Sequence, residues 1–153
     1  ARPERTMRLT QHADYGLRVL MYLASRPGEY ATSADLAKTF GVSHHHLLKV
    51  VHRLCELGWV DAKRGPTGGV SFLPSTGDVT VGEVVRALEP QHALVECFDP
   101  TTNTCPMSGT CGLAPLLTRA NEAFLRELDG TPLRDIATPP NALYSPRGRA
   151  ARR

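Results

Sequence analysis

Between residues 32 and 73 the chain runs through helix starts, glycine stops and a glycine-rich turn in an order that few folds accept. Thr32-Ser33-Ala34-Asp35 has capping-box spacing, with Asp where Glu or Gln is usual. It predicts a short helix carrying Leu36, Ala37 and Phe40. Gly41 supplies the turn. Ser43 is the expected cap of a second helix over residues 44–57, ended by Gly58. Its inward face is Leu47, Val50 or Val51, Leu54 and Leu57, while Lys49 and Arg53, four apart, share an outer face. Two strand-like pieces, 59–62 and 70–73, then flank the basic tip Lys63-Arg64-Gly65-Pro66-Thr67-Gly68-Gly69. A short helix, a tight turn, a longer helix and a hairpin make a winged helix-turn-helix.

Such a fold places the first residues of its second helix in a major groove. Ser43, His44, His45, His46 and Lys49 are therefore expected to face bases and phosphates, with Lys49 and Arg53 chiefly positioning the backbone. At the wing, Lys63 and Arg64 supply charge, and Gly65, Gly68 and Gly69 let the backbone approach a phosphate wall. Three adjacent histidines do not share a helix face, so His44, His45 and His46 are not expected to bind one ion. The glycines are not a P-loop, since no lysine followed by Ser or Thr opens a helix after them. Cys55 is expected to pack inward as a small hydrophobe.

The flanks complete a chain that is mainly α with a small β-hairpin wing. Residues 1–6 read as an extension. A core helix is expected over 11–26, stopped by Pro27-Gly28, with Tyr15 in the core or on a phosphate. Thr80-Val81-Gly82-Glu83 is a second capping box, opening a helix to Leu88 that Glu89-Pro90 closes. Residues 113–128 form a long amphipathic pattern with Leu113, Leu116, Leu117, Ala120, Ala123 or Phe124, and Leu128. A small winged head leaves little to cover that stripe, so it is expected to pair with a second copy as a dimerisation helix. Residues 131–136 make a short terminal element. The expected organisation is 7–90 winged head, 91–112 cysteine loop, 113–137 dimerisation helix and terminal element, and 138–153 flexible basic tail.

Charge follows the same division. Residues 1–75 carry ten Lys/Arg against six Asp/Glu, residues 76–130 three against eight, and residues 131–153 five against one. A basic head and tail around an acidic middle favour a polyanion partner. No apolar run approaches a membrane span, and the N-terminus lacks a secretory apolar stretch, so a cytoplasmic protein is expected.

Three of the four cysteines, Cys97, Cys105 and Cys111, are separated by seven and then five residues rich in Asp, Pro, Asn, Gly and Thr. Those residues suit turns and disfavour helix and strand. Three thiolates converging from a loop suit a metal or iron–sulfur site. A disulfide with a spare thiol, a redox thiol loop and three unreactive cysteines stay open on spacing alone.

Taken together, Met7-Arg8-Leu9-Thr10, Asp14-Tyr15-Gly16-Leu17-Arg18, Val42-Ser43, Leu48-Lys49 and residues 64–70, 81–90, 94–97 and 123–129 resemble the iron–sulfur-cluster winged-helix transcriptional regulators. Glu89-Pro90 followed by Leu94-Val95-Glu96-Cys97 is most similar to their nitric-oxide-sensing branch. The resemblance implies an iron–sulfur cluster on Cys97, Cys105 and Cys111, 4Fe-4S rather than 2Fe-2S. It implies a fourth ligand from Asp14 of the partner subunit in a homodimer, with His12 the runner-up. The cluster-assembly branch has a histidine three residues past the last cysteine, where this chain has Ala114. The Cys97–Cys105 spacing is longer than the family's usual one. The implied function is a repressor that binds inverted-repeat operator DNA and releases it on meeting nitric oxide. A regulator sensing iron, cluster supply or redox state, and a thiol/disulfide redox or interaction protein, are the alternatives. No nucleophile–base set points to an enzyme.

Overall fold

A computed structural model describes residues 8–89 and 93–137. The expected extension over 1–6, the tail over 138–153 and Pro90 lie outside the described residues. The elements run α1 (Gln11–Ala24), α2 (Ser33–Phe40), α3 (His44–Glu56), β1 (Val60–Lys63), β2 (Gly69–Phe72), α4 (Val81–Leu88), α5 (Leu113–Asp129) and α6 (Leu133–Ile136). Two 3₁₀ turns, Pro74–Asp78 and Glu96–Phe98, join them.

Local chemistry sets most of the boundaries. The Thr10 hydroxyl accepts the Ala13 N–H at 3.2 Å and starts α1. The helix ends at Ala24, two residues short of the expected 26, because Arg26 precedes Pro27 and is steered out of helical geometry. At α2 the expected box forms by half. Thr32 accepts the Asp35 N–H at 3.1 Å, but the Asp35 carboxylate takes the Thr32 hydroxyl at 2.6 Å. The aspartate is one methylene shorter than the glutamate that normally reaches back to the cap's own N–H. At α4, Glu83 has that length, and both bonds form, at 3.1 and 2.7 Å. Ser43 occupies the cap position of α3 without a side-chain capping bond.

The winged head closes around α1, α3 and the hairpin. Val60 lies opposite Phe72 and Lys63 opposite Gly69 in the antiparallel pair, and Ala31 bridges to Val70 at the outer side of β2. Gly69, at φ 138°, sits where a Cβ would strike the Ala31 carbonyl, so this crossing requires glycine. Leu20, Leu23, Leu36, Leu47 and Leu54 are sealed from solvent, each contributing about 2 kcal/mol of apolar burial. Leu133 of α6 joins them. The short C-terminal helix thus belongs to the core of the head, held by Leu133 N–H on the Val79 carbonyl at 2.8 Å and Val81 N–H on the Thr131 carbonyl at 2.9 Å. Cys55 is half-buried against this core, and burial pushes its thiol pKa up.

Helix α5 is different. It has 17 residues and none of them is buried. It leans on α4, where Arg86 forks onto the Asp129 carboxylate at 2.5 and 2.7 Å and Gly82 leaves no Cβ to obstruct Asp129. Ala114, Leu117, Asn121, Phe124, Leu125 and Leu128 are half-covered, whereas Leu113 and Leu116 are 54% and 52% exposed.

Candidate DNA interface and cysteine site

Helix α3 presents its polar face outward. Ser43, His44, His45, His46, Leu48, Lys49 and His52 are all exposed, while Leu47, Val50, Val51 and Leu54 face the core. The outward residues are not equivalent. His44 Nε2 is paired with the Ser33 hydroxyl at 2.9 Å, so its ring braces the turn between α2 and α3. Arg53 pairs with Glu56 at 3.0 Å. Lys49 makes no ion pair among the described residues. Two clefts separate α1 from α3. One, of about 190 Å³, is lined by Gln11, His12, Tyr15, His46, Lys49 and Val50. The other, of about 490 Å³, is lined by His12, Leu48, Lys49, His52, Arg53 and Glu56. Burial, reinforced by the Arg53 charge, lowers the His12 pKa.

The wing divides its expected residues in a similar way. Lys63, Arg64 and Gly65 are exposed at the tip. Gly68 is buried, and a Cβ there would collide with the Lys63 carbonyl, so it shapes the turn from inside. Tyr30 donates its hydroxyl to Asp61, which raises the Tyr30 pKa, and Lys63 lies over the Tyr30 ring. These contacts hold the base of the wing.

The cysteine segment begins in the 3₁₀ turn that carries Cys97 and continues as turns to α5. Its side chains bond to its own backbone. Asp99 accepts the Thr101 N–H at 2.9 Å, and Asn103 accepts the Cys105 N–H at 3.0 Å. Glu96 accepts both the N–H and the hydroxyl of Thr104, which lowers its carboxyl pKa. This closes the long Cys97–Cys105 interval and brings its ends together. Cys97, Cys105 and Cys111 are free thiols, half-buried, and line two shared cavities. One, of about 170 Å³, has Val95, Met107, Leu113, Ala114 and Leu117 on its walls; the other, of about 130 Å³, is completed by Phe98, Asn103 and Ser108. Neither cavity includes Asp14 or His12. Asp14 lies on the first turn of α1 and holds Arg18 in a fork at 2.9 and 2.6 Å.

Three thiols on one apolar wall fit an iron–sulfur cluster, which takes thiolate ligands in a shielded place. Among the described residues, no three His, Cys, Asp or Glu side chains gather tightly enough for one metal ion. A cluster is a wider object with separate points of attachment. The structure thus brings the three expected cysteines together and leaves Asp14 apart from them within one chain.

The profile of the Rrf2 family, iron-dependent transcriptional regulators, matches residues 9–139. The chain belongs to the Rrf2 family. Among its Rrf2 relatives, the HTH-type transcriptional regulator NsrR of Bacillus subtilis (strain 168) is 44% identical over 131 residues, covering 85% of this chain and 90% of the relative. The structure of CymR (YrzC), the global cysteine regulator of B. subtilis, superposes with a TM-score of 0.67 at 25% identity, over 86% of this chain and 97% of that one. The T. potens IscR structure gives 0.66 at 18% identity over 88% of each chain, a likeness of fold alone. As an Rrf2 protein the chain is a transcriptional regulator with a winged DNA-binding head, and it is not an enzyme. None of its described helices is long and apolar enough to cross a membrane.

Sequence reasoning missed the Glu96–Thr104 closure, the Ser33–His44 brace and the exposed pair Leu48 and His52. Only the last had a signal: a leucine and a histidine four apart on the outer face of α3.

Proposed function

We propose that this Rrf2 regulator is a homodimeric repressor whose operator binding is governed by an iron–sulfur cluster and relieved by nitric oxide. The reading rests above all on three half-buried thiols facing one shared space. It is supported by the naming of the B. subtilis relative as NsrR and by the resemblance of residues 81–97 to the nitric-oxide-sensing branch. Cys97, Cys105 and Cys111 would hold the cluster, with Asp14 of the partner subunit as fourth ligand and His12 as its alternative. When bound, a four-iron cluster supplies iron that nitric oxide can ligate, most accessibly where the ligand is not a thiolate.

The chain's residues turn that chemistry into movement. Three thiolates would fix a turn segment whose hydrogen bonds, among the described residues, run within the segment itself. Glu89, buried at the end of α4, accepts the Thr10 N–H at 2.6 Å and so ties the last turn before the cysteine segment to the start of α1. Helix α1 packs on α3, the helix that meets the groove. A change at the cysteines thereby reaches the recognition helix through two packed elements. In a dimer the exposed Leu113–Leu116 face of α5 would be covered by its mate, and two α3 helices would meet half-sites of an inverted repeat one turn apart.

The test is visible absorption of anaerobically prepared protein, titrated with nitric oxide while operator binding is followed. The expected result is a visible thiolate–iron band that bleaches as DNA is released, and a C105A protein without either response. A band that bleaches while DNA stays bound would move the signal to iron or redox supply. A colourless protein after reconstitution would favour a disulfide switch among the same thiols.

A further inference from the structure

We infer that Leu48 is a base-reading residue, packing on a thymine methyl in the major groove. The inference rests on the DNA-binding reading of the head. Leu47 and Leu48 are adjacent on α3, yet Leu47 is fully buried and Leu48 is 48% exposed. A lone exposed leucine is ordinary on a protein surface. Its position here is what carries information. Leu48 lies on the outward side of the second helix of a helix-turn-helix, between His45 one turn before and His52 one turn after. It shares a cleft with His12, Lys49, His52, Arg53 and Glu56, where Glu56 pairs with Arg53 and His52 and Lys49 is the cation without an ion pair among the described residues.

That arrangement matches one partner. Lys49 beside it suits a phosphate of the groove wall. Between the groove walls, base edges offer hydrogen-bonding groups and a single apolar feature, the thymine C5-methyl. An apolar protein partner would have to cover Leu48 while burying the Lys49 charge unpaired, at a cost in desolvation that a polyanion does not impose. His44 is braced on Ser33, and among the remaining exposed side chains of this face Leu48 is the apolar one.

The experiment uses the full-length protein with its cluster reconstituted. The duplex it binds most tightly is first drawn from a random pool. Thymines in that duplex are then replaced by deoxyuridine, one position at a time and symmetrically in both half-sites. Loss of one buried methyl corresponds to about a fourfold drop in affinity, so two half-sites should lose about fifteenfold. We expect such a loss at one position, and its absence in L48A, whose fold is checked by an unchanged melting curve. Equal binding with uracil at every position would overturn the inference, as would a uracil effect of the same size in wild type and L48A. If the pool yields no enriched duplex, the DNA reading of the head fails along with it.

Discussion

The carboxylate of Glu96 accepts the backbone N–H of Thr104 at 2.6 Å and its hydroxyl at 2.5 Å, eight residues along the chain. Glu96 immediately precedes Cys97 and Thr104 immediately precedes Cys105. One pair of bonds therefore ties together the positions next to two cysteines, across the local turns that Asp99 and Asn103 hold between them. It also accounts for how an interval longer than the family's usual one can serve the same purpose.

Removing this closure should loosen the site without touching a thiol. In Glu96→Ala we expect the reconstituted cluster to be lost to a chelator about tenfold faster than in wild type, the lower range for groups that orient a ligand. Thermal unfolding of the head should be unchanged, since Glu96 is exposed and far from its core. An unchanged rate of loss would mean that the thiols need no help from the loop.

The same pair predicts how the loop responds to acid. Hydrogen bonds from Thr104 hold the Glu96 carboxyl below its ordinary value, and the Thr101 hydroxyl and N–H do the same for Asp99. A carboxyl with a depressed folded pKa contributes its full stabilisation above the unfolded value of about 4.3. It loses that contribution as pH falls through the lower folded value. Loop closure should thus be constant through neutral pH and be lost only as pH falls below the ordinary carboxylate range. The Thr104 amide resonance, followed against pH, should titrate with a midpoint under the unfolded value. A midpoint above it would contradict the assignment.

Much of the head was legible because its signals are local. Thr32, Gly41, Gly58 and the Thr80–Glu83 box each act within a few residues, and helix limits came within one or two positions. The cysteine segment was legible as turns for the same reason. The misses involve partners from different elements. Nothing near His44 announces Ser33 eleven residues earlier, so the brace is visible only once α2 and α3 are folded together. The glycine-rich tip predicts close approach of the backbone, but which carbonyl a Cβ at Gly68 would strike, that of Lys63, depends on the folded hairpin. Leu133 belongs to a short terminal element whose pattern does not say what it packs on, and only the folded chain places it in the core.

Asp14 separates a ligand from a structural carboxylate. Its fork with Arg18 is an exposed pair one helical turn apart, worth about 0–1 kcal/mol. Asp14→Asn should therefore leave the melting temperature nearly unchanged. If Asp14 supplies the fourth ligand to the partner's cluster, the same change should alter the cluster's visible spectrum and speed its reaction with nitric oxide. Arg18→Ala, which breaks the fork alone, should do neither. Identical spectra for wild type and Asp14→Asn would direct the search to His12.

The face of α5 that carries Leu113 and Leu116 makes the last prediction. Both side chains are more than half exposed on a helix with no buried residue, so neither contributes much to the isolated head. A charge at the centre of a dimer seam, by contrast, must be buried without a partner. Leu116→Glu should leave the melting curve of the monomeric head within about 0.5 kcal/mol of wild type. It should shift the sedimentation of the protein to the monomer at micromolar concentration. Operator affinity should fall with it, by at least about 30-fold, as expected for loss of a packed interface residue worth about 2 kcal/mol. Because each monomer keeps an intact α3 and wing, binding to a single half-site should persist at the level of one head. A Leu116→Glu protein that remains dimeric would show that this face is not the seam, and the apolar stripe of α5 would need another cover.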